Sequence, residues 1–367
     1  MTSSAPRPPS GESIDLDDAT AIRAADPSGM LATVGALAEH VRSGYRAGRG
    51  AAEDTALPVI DDVTSIVFCG MGGSAVAGDI VGSLYRDRLT MPFETIRSPE
   101  LPAYVGRRTL VVCSSYSGNT AETLACFEEA VVRGARVLAI TSGGTLGART
   151  RQLGFATTPL PPGFQPRAAI GHLVFGLLGL LERTGLLPPL EGEVEETARV
   201  LEGLRTRLGP EAAGEGNLAK DLARRIGSRV PVIWGAQGVG SVAAMRWKTQ
   251  LNENGKVPAF SSALPELDHN EVVGWTPGVG TGFFLIPLRL DGEHPDIARR
   301  FPLSIDIVQA AGVEVEEIMA VGASPLSQLF SLVLTGDYVS AYLGILRGFD
   351  PTPVEVIDRL KAALADA

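Results

Sequence analysis

The sequence has little of several features that mark particular classes of protein. It contains three cysteines in 367 residues, Cys69, Cys113 and Cys126, and their odd number and irregular spacing argue against a disulfide framework. A reducing, cytoplasmic location is therefore expected. The N-terminal residues lack a basic segment followed by an apolar one, and no uninterrupted apolar run reaches about 18 residues. Export and membrane insertion are not expected.

Positive charge is scarce as well. The 32 Lys and Arg residues are outnumbered by 42 Asp and Glu residues, which gives a formal net charge of −10. Nucleic acid is not expected as a partner, because proteins that bind it present clustered cations. An anionic substrate would have to be held by a local arrangement of donors. The four histidines are scattered, so neither a metal nor another cofactor is expected.

What the sequence does contain is a repeated alternation of short β-branched runs with helical segments. This pattern is typical of an α/β protein with parallel sheets. The expected strands are 65–69, 110–113, 136–141 and 283–288, with another at the start of the segment 230–248 and a weaker one at 313–318. The expected organisation is an N-terminal tail and helices (1–54), a first domain (55–190), a helical connector (191–215), a second domain (216–348) and a C-terminal helix (349–367).

The two halves share one local pattern. In SIVFCGMGGSAVAGDI (65–80) and VPVIWGAQGVGSVAAMRWK (230–248), an apolar strand leads to a glycine turn, a serine and a helix. Gly70 then aligns with Gly235, and Ser74 with Ser241, which favours two copies of one fold. The first turn is a weak signal for a dinucleotide site, because the run is not G-x-G-x-x-G and no acidic residue ends the next strand.

The stretch SSYSGNTAET (114–123) is the most informative turn. It presents Ser115, Ser117 and Thr120 around Gly118, directly after a predicted strand and before a helix. Backbone N–H groups and the positive end of the helix meet there, and added hydroxyls would make an uncharged site for a phosphate. The alternative is that these side chains only cap the helix. The turn TSGGTLG (141–147) is either another ligand-facing loop or a plain connection.

Together, the glycine and hydroxyl turns resemble the sugar isomerase (SIS) domain, a flavodoxin-like unit that binds phosphosugars. NENGKVPAF (252–260) and PELDHNEVVGW (265–275) are similar to segments of the bifunctional phosphoglucose/phosphomannose isomerases. The resemblance extends over about residues 55–365. It implies two SIS domains, each a parallel sheet between helices, and the interconversion of glucose 6-phosphate or mannose 6-phosphate with fructose 6-phosphate.

The resemblance also implies a set of site residues. Glu253 would be the base that moves a proton between C1 and C2, and His269 would open the sugar ring. Arg167 would stabilise the enediolate, and Lys361 would match a C-terminal lysine of the family. The implied phosphate-binding residues are Gly72, Gly73, Ser74, Ser115, Ser117 and Thr120. A homodimer is implied, in which His269 reaches the active site of the partner.

Each of these residues has a plainer explanation. Glu253 ends a predicted helix and could be a surface carboxylate, His269 lies in a proline-bounded loop, and Lys361 could be a solvated residue. Glu266, Asp268 and Glu271 surround His269 in sequence and could orient its ring. Thr352 is a weaker candidate for a hydroxyl that assists turnover of the mannose substrate.

Other functions fit the whole chain less well. A sugar-phosphate sensor without catalysis would carry a basic DNA-binding segment, which the sequence before residue 55 does not suggest. A glutamine-dependent glucosamine phosphate synthase would need an N-terminal cysteine, and the chain begins Met1-Thr2-Ser3. A Rossmann dehydrogenase would need an acidic ribose partner.

Overall fold

The computed structural model describes residues 14–51 and 57–365 of the chain. These residues form two compact units. The first unit comprises Ala36–Glu202 and Val321–Phe330. The second comprises Gly203–Ala320, Ser331–Ala367 and the N-terminal segment that ends at Gly35.

The strands belong to two sheets, and all described pairings within them are parallel. The first sheet has the order β2-β1-β3-β4-β5, and the second has the order β10-β8-β6-β7 with β9 beside β8. The strands are β1 (Ser65–Cys69), β2 (Phe93–Ile96), β3 (Thr109–Ser115), β4 (Arg136–Thr141), β5 (Thr157–Pro159), β6 (Val230–Ala236), β7 (Phe260–Leu264), β8 (Phe283–Arg289), β9 (Glu314–Val315) and β10 (Ile318–Met319).

Helices connect the strands and cover both sheets. They are α1 (Ala19–Ala25), α2 (Met30–Gly35), α3 (Leu37–Gly50), α4 (Gly72–Leu84), α5 (Ala121–Val132), α6 (Gly144–Leu153), α7 (Ile170–Arg183), α8 (Glu191–Leu208), α9 (Leu218–Ile226), α10 (Val239–Glu253), α11 (Pro295–Ala298), α12 (Arg300–Ala310), α13 (Pro325–Leu346) and α14 (Glu355–Ala365). Four short 3-10 helices lie in the connections, at Pro166–Ala169, Glu266–His269, Glu271–Gly274 and Gly280–Gly282.

The first unit packs α3 closely against α7. A Cβ added at Gly48 would lie 2.1 Å from the carbonyl oxygen of Gly176, so only glycine permits this backbone approach. The central strand β3 is buried over its whole length, as expected for a parallel strand covered on both faces.

One helix, α13, is long and apolar, and its residues 331–346 belong to the second unit. By length and composition α13 could cross a membrane, although no such helix is expected from the sequence pattern. Nearly all of its residues are buried inside the protein, and it carries the buried Asp337. These features are those of a core helix.

The strongest predicted strands are confirmed at β1, β3, β4, β6 and β8. The region 313–318 forms two two-residue strands, β9 and β10, instead of one strand. The strands β2, β5 and β7 were not predicted. Their sequences, FETI, TTP and FSSAL, are short or rich in polar residues, so neighbouring strands rather than their own apolar pattern place them in a sheet.

Candidate active site

In the first unit, the candidate phosphate-binding residues lie where β1 and β3 end side by side. Cys69 pairs with Cys113, so the glycine turn (residues 70–74) and the hydroxyl turn (residues 114–120) follow neighbouring strands. The chain continues from β1 to β2 on one side and returns to β3 on the other. Ligands of open α/β sheets bind at such a switch in strand order.

The hydroxyl turn uses its side chains within itself and leaves the helix end uncapped. The hydroxyls of Ser115 and Thr120 are 2.8 Å apart, and the Gly118 N–H donates to Ser115 Oγ at 3.0 Å. Thr120 is the N-cap residue of α5, yet its side chain makes no capping hydrogen bond. The alternative that these hydroxyls only cap the helix therefore fails for Thr120, and the helix end remains open to an anion.

The turn after β4 packs against the hydroxyl turn. Gly118 has φ of +70°, and a Cβ there would lie 1.9 Å from the carbonyl oxygen of Gly143. Asn119 Oδ1 accepts hydrogen bonds from the backbone N–H and the hydroxyl of Thr145, both at 3.0 Å. Ser142 Oγ donates to the Tyr116 carbonyl at 2.6 Å. The 141–147 turn is thus a packing partner of the hydroxyl turn.

Tyr116 connects three segments of this site. Its backbone N–H donates to Ser74 Oγ at 3.3 Å, which joins the hydroxyl turn to the glycine turn. Its own hydroxyl donates to the Pro161 carbonyl at 2.8 Å and accepts from the Phe164 N–H at 2.7 Å. Burial raises the pKa of Tyr116, so the hydroxyl stays protonated and can donate. The loop before Arg167 is therefore fixed to the hydroxyl turn.

Arg167 lies in the 3-10 helix Pro166–Ala169 and is buried, with 2% of its surface exposed. A Cβ at Gly73 would come within 2.9 Å of the Arg167 backbone nitrogen, so the glycine turn and the arginine segment are in direct contact. The structure therefore brings together all the first-half residues singled out from the sequence. They are Gly72, Gly73, Ser74, Ser115, Ser117, Thr120 and Arg167.

Two histidines pack against Phe164, in the loop that precedes Arg167. The rings of His40 and His172 are in contact, with centroids 4.6 Å apart and planes tilted by 33°, and Phe164 packs edge-on against His40. Burial lowers the pKa of His172 to about 4, and the neighbouring His40 contributes to this lowering. Burial also lowers the pKa of His40. Both rings are therefore neutral near pH 7.

In the second unit, Glu253 is the last residue of α10, and a buried polar face fixes that end of the helix. Asp337 of α13 accepts hydrogen bonds from Arg246 at 2.9 Å and from Gln250 at 2.8 Å. One turn further on, Asn254 Nδ2 donates to Ser340 Oγ at 3.1 Å. These buried hydrogen bonds join the C-terminal part of α10 to α13, while Glu253 itself is partly exposed.

Glu253 lines a cavity of about 760 Å³ within the second unit. The end of α10 and the residues that follow it supply one wall, with Asn252, Glu253 and Lys256. The C-terminal segment supplies another, with Pro353, Glu355 and Arg359. The described residues that line this cavity do not include His269 or Lys361. Lys361 is exposed on α14, and Thr352 precedes that helix.

His269 is exposed in the loop after β7. The carboxylates expected to orient its ring make other hydrogen bonds. Asp268 accepts from Ser304 at 2.7 Å and from Arg300 at 3.0 Å, and Glu271 accepts from Trp234 Nε1 at 2.9 Å. These bonds hold the loop against α12 and against β6 of the second sheet, and the imidazole lies at the surface.

Comparison with known proteins gives the same two-part division. Residues 60–157 match the SIS domain, and residues 215–364 match the bacterial phospho-glucose isomerase C-terminal SIS domain. The chain is 40% identical to a bifunctional phosphoglucose/phosphomannose isomerase of Caldicellulosiruptor bescii over 339 residues, which are 92% of this chain and 99% of that protein. The chain belongs to this isomerase family.

Two further comparisons agree with this assignment. A family protein from Aquifex aeolicus is 36% identical over 301 residues, which cover 82% of this chain and 90% of that protein. A hypothetical protein of Thermus thermophilus has a crystal structure with a TM-score of 0.72 at 17% identity, covering 96% of this chain and 94% of that one. At this level of identity, the crystal structure supports only the fold of the chain.

The sequence alone does not indicate the roles of three residues at these sites. Tyr116 lies inside the hydroxyl turn, but nothing in its position indicates that its hydroxyl reaches the loop before Arg167. Lys256 has φ of +55°, a conformation in which glycine is usual, and the motif NENGK does not reveal it. Arg359 lines the Glu253 cavity, whereas Lys361 was singled out because it is the only lysine of the final segment.

Proposed function

We propose that this protein is a cofactor-independent aldose–ketose isomerase that interconverts glucose 6-phosphate and mannose 6-phosphate with fructose 6-phosphate. Membership of the bifunctional family carries the proposal, and the open helix end at the hydroxyl turn supports it, because an uncapped N-terminus ringed by hydroxyls suits a phosphate. The buried thiols of Cys69, Cys113 and Cys126 fit a reducing cytoplasm, which we propose as its location.

In this mechanism Gly72, Gly73, Ser74, Ser115, Ser117 and Thr120 hold the phosphate. His269 opens the ring by removing the O1 proton and protonating O5. Glu253 then removes the proton from C2 of the open aldose, which gives an enediolate, and returns it to C1 while the O2 proton passes to O1. Arg167, always charged, stabilises the negative charge of the enediolate. The reverse sequence consumes fructose 6-phosphate.

The C-terminal helix α14 supplies a cation to the site. The family resemblance implies Lys361, and the lining of the Glu253 cavity favours Arg359. Residues two positions apart on a helix differ by about 200° around its axis, so they face different surroundings. Only one of the two is expected to act near the reacting carbons.

The decisive experiment is the Glu253→Gln variant. We expect kcat to fall by about 1,000-fold with either aldose phosphate, since a positioned base typically contributes about 10²–10⁴-fold. Incorporation of solvent deuterium at C1 should be lost in parallel, while calorimetric binding of the sugar phosphate is kept. Glu355→Gln is the matched control, because Glu355 is a carboxylate of the same cavity that does not end α10.

Two results would contradict this function. Unchanged turnover in Glu253→Gln would leave the proton transfer without its base. Tight binding of the sugar phosphates by the unmodified protein without any turnover would favour the sugar-phosphate sensor instead.

We further propose a homodimer in which His269 serves the partner's active site. The exposed position of His269, outside the lining of the Glu253 cavity, supports this arrangement. Mixing the Glu253→Gln and His269→Ala variants, followed by subunit exchange, should restore activity, because the mixed dimer then has one site with both groups intact. If each subunit used its own histidine, both sites would stay defective and the mixture would remain inactive.

A further inference from the structure

Lys256 adopts a backbone conformation that is unfavourable for a residue with a side chain. It follows the end of α10 with φ of +55°, a region in which glycine is common after helices and in which a residue with a Cβ is strained. The Val257 N–H closes the turn by donating to the Leu251 carbonyl at 3.3 Å, a contact that depends on the backbone alone. A glycine would fit this turn with less strain, so the lysine side chain is the feature to explain.

The ammonium of Lys256 donates to three backbone carbonyls. Its Nζ lies 2.5 Å from the Glu253 oxygen, 3.0 Å from the Pro351 oxygen and 2.5 Å from the Pro353 oxygen. An ammonium has three donors, so this arrangement matches its full donor capacity. The Glu253 carbonyl is one that the end of a helix leaves without an intrahelical partner.

Two of these carbonyls belong to residues that line the Glu253 cavity, Glu253 and Pro353, and Pro351 lies beside the lining residue Asp350. The Glu253 carbonyl is in the wall from α10, and Pro351 and Pro353 come directly before α14, which carries Arg359. The only sequence connection between these walls is a long one, through β7, β8 and α13. The ammonium therefore joins the end of α10, which carries Glu253, directly to the segment that precedes α14.

We infer that Lys256 is a positioning residue that fixes the α10 end and the 351–353 segment together, so that Glu253 and α14 face one cavity in a constant geometry. This inference rests on the proposed isomerase function for its kinetic consequence, and on the three hydrogen bonds alone for its structural one. Lys256 need not contact the substrate. Misplacement of a reacting group by about 1 Å can cost about 100-fold in rate.

Three variants separate the ammonium from the backbone. Lys256→Met keeps the aliphatic stem and removes the donors. Lys256→Gly removes the donors and also relieves the strained φ, so it folds even if the methionine variant does not. Lys256→Arg restores a cationic donor. Lys248→Met is the matched control, since Lys248 is a lysine of α10 that lies outside this cavity.

The expected kinetic result is a fall in kcat of about 10- to 100-fold for Lys256→Met and Lys256→Gly, with KM changed much less and with partial recovery in Lys256→Arg. The expected structural result is faster amide hydrogen exchange across 354–360 in the first two variants. Normal kcat and exchange in Lys256→Gly would overturn the inference, because the backbone conformation and not the ammonium would then be what matters.

The exchange measurement also separates this inference from the proposed function. If the unmodified protein turns over neither sugar phosphate, the isomerase proposal fails, and exchange across 354–360 still decides whether Lys256 holds the segment. If turnover is normal but exchange in Lys256→Met matches that of Lys248→Met, the isomerase proposal stands and the role of Lys256 is refuted.

Discussion

The two units use equivalent strand–turn–helix segments in opposite ways. In the first, β1 leads into α4, and Ser74 is its third residue; in the second, β6 leads into α10, and Ser241 is its third residue. Ser74 Oγ accepts from the Tyr116 N–H of the neighbouring turn at 3.3 Å. Ser241 Oγ turns back and donates to the Gly238 carbonyl at 2.8 Å. The same serine position thus joins the glycine turn to the hydroxyl turn in one copy and closes its own turn in the other.

The difference shows how one local fold can serve two tasks. The first unit places its candidate groups at helix N-termini, whose positive ends suit a phosphate. The second places Glu253 at the C-terminus of α10, an unfavourable place for a negative charge that needs a specific reason. A buried polar face and the Lys256 ammonium fix that end of the helix. In the proposed mechanism, anion binding and proton transfer therefore take place at opposite helix ends.

The largest effect expected from this contrast is in substrate binding. Ser115→Ala removes a hydroxyl from the hydroxyl turn, and a hydrogen bond to a charged group contributes about 1.5–3 kcal/mol. We expect kcat/KM for glucose 6-phosphate to fall by about 10- to 100-fold, mostly through KM. Ser241→Ala is the control in the equivalent copy and should change KM little. Equal effects in the two variants would remove the functional distinction between the copies.

The outline of this contrast could be predicted from the sequence because it rests on local patterns. The apolar runs at β1, β3, β4 and β6 are long enough to identify, and the glycine and serine spacing reveals the internal repeat. The opposite orientation of Ser74 and Ser241 could not be predicted. It depends on which backbone group of another segment approaches the hydroxyl, and Tyr116 is 42 residues from Ser74.

A smaller effect is expected from the C-terminal helix of the second unit. Because Arg359 lines the Glu253 cavity, Arg359→Gln should lower kcat/KM by about tenfold, as expected for loss of a charge-assisted contact. Lys361→Gln should change it by no more than about twofold, the effect of an exposed surface charge. Steady-state kinetics with both sugar phosphates give kcat/KM for the two variants. The reverse order would assign the cation to Lys361, as the family resemblance implies.

Only part of the candidate site could be predicted from the sequence, and the reason is physical. Hydroxyls, Glu253 and Arg167 could be singled out because residue type and motif carry the chemistry. Roles that depend on distant backbone atoms leave no such pattern. Lys256 binds carbonyls 95 and 97 residues away, and the Tyr116 hydroxyl contacts residues 45 and 48 positions on.

A difference in stability rather than in catalysis concerns the histidines, which are buried in the first unit at His40 and His172 and exposed in the second at His269 and His294. An unfolded histidine takes up a proton near pH 6.5, whereas His172 in the folded protein does so only near its lowered pKa of about 4. The unfolded chain therefore binds more protons between these values. Stability falls as pH decreases from about 6.5 to 4, by at most about 1.4 kcal/mol per pH unit for one such group.

Replacing His172 removes this contribution. In His172→Phe the free energy of urea unfolding should depend less on pH between about 6.5 and 4 than it does in the unmodified protein, whatever the absolute stability. An unchanged slope in His172→Phe would mean that the acid sensitivity of the first unit comes from groups other than this histidine pair.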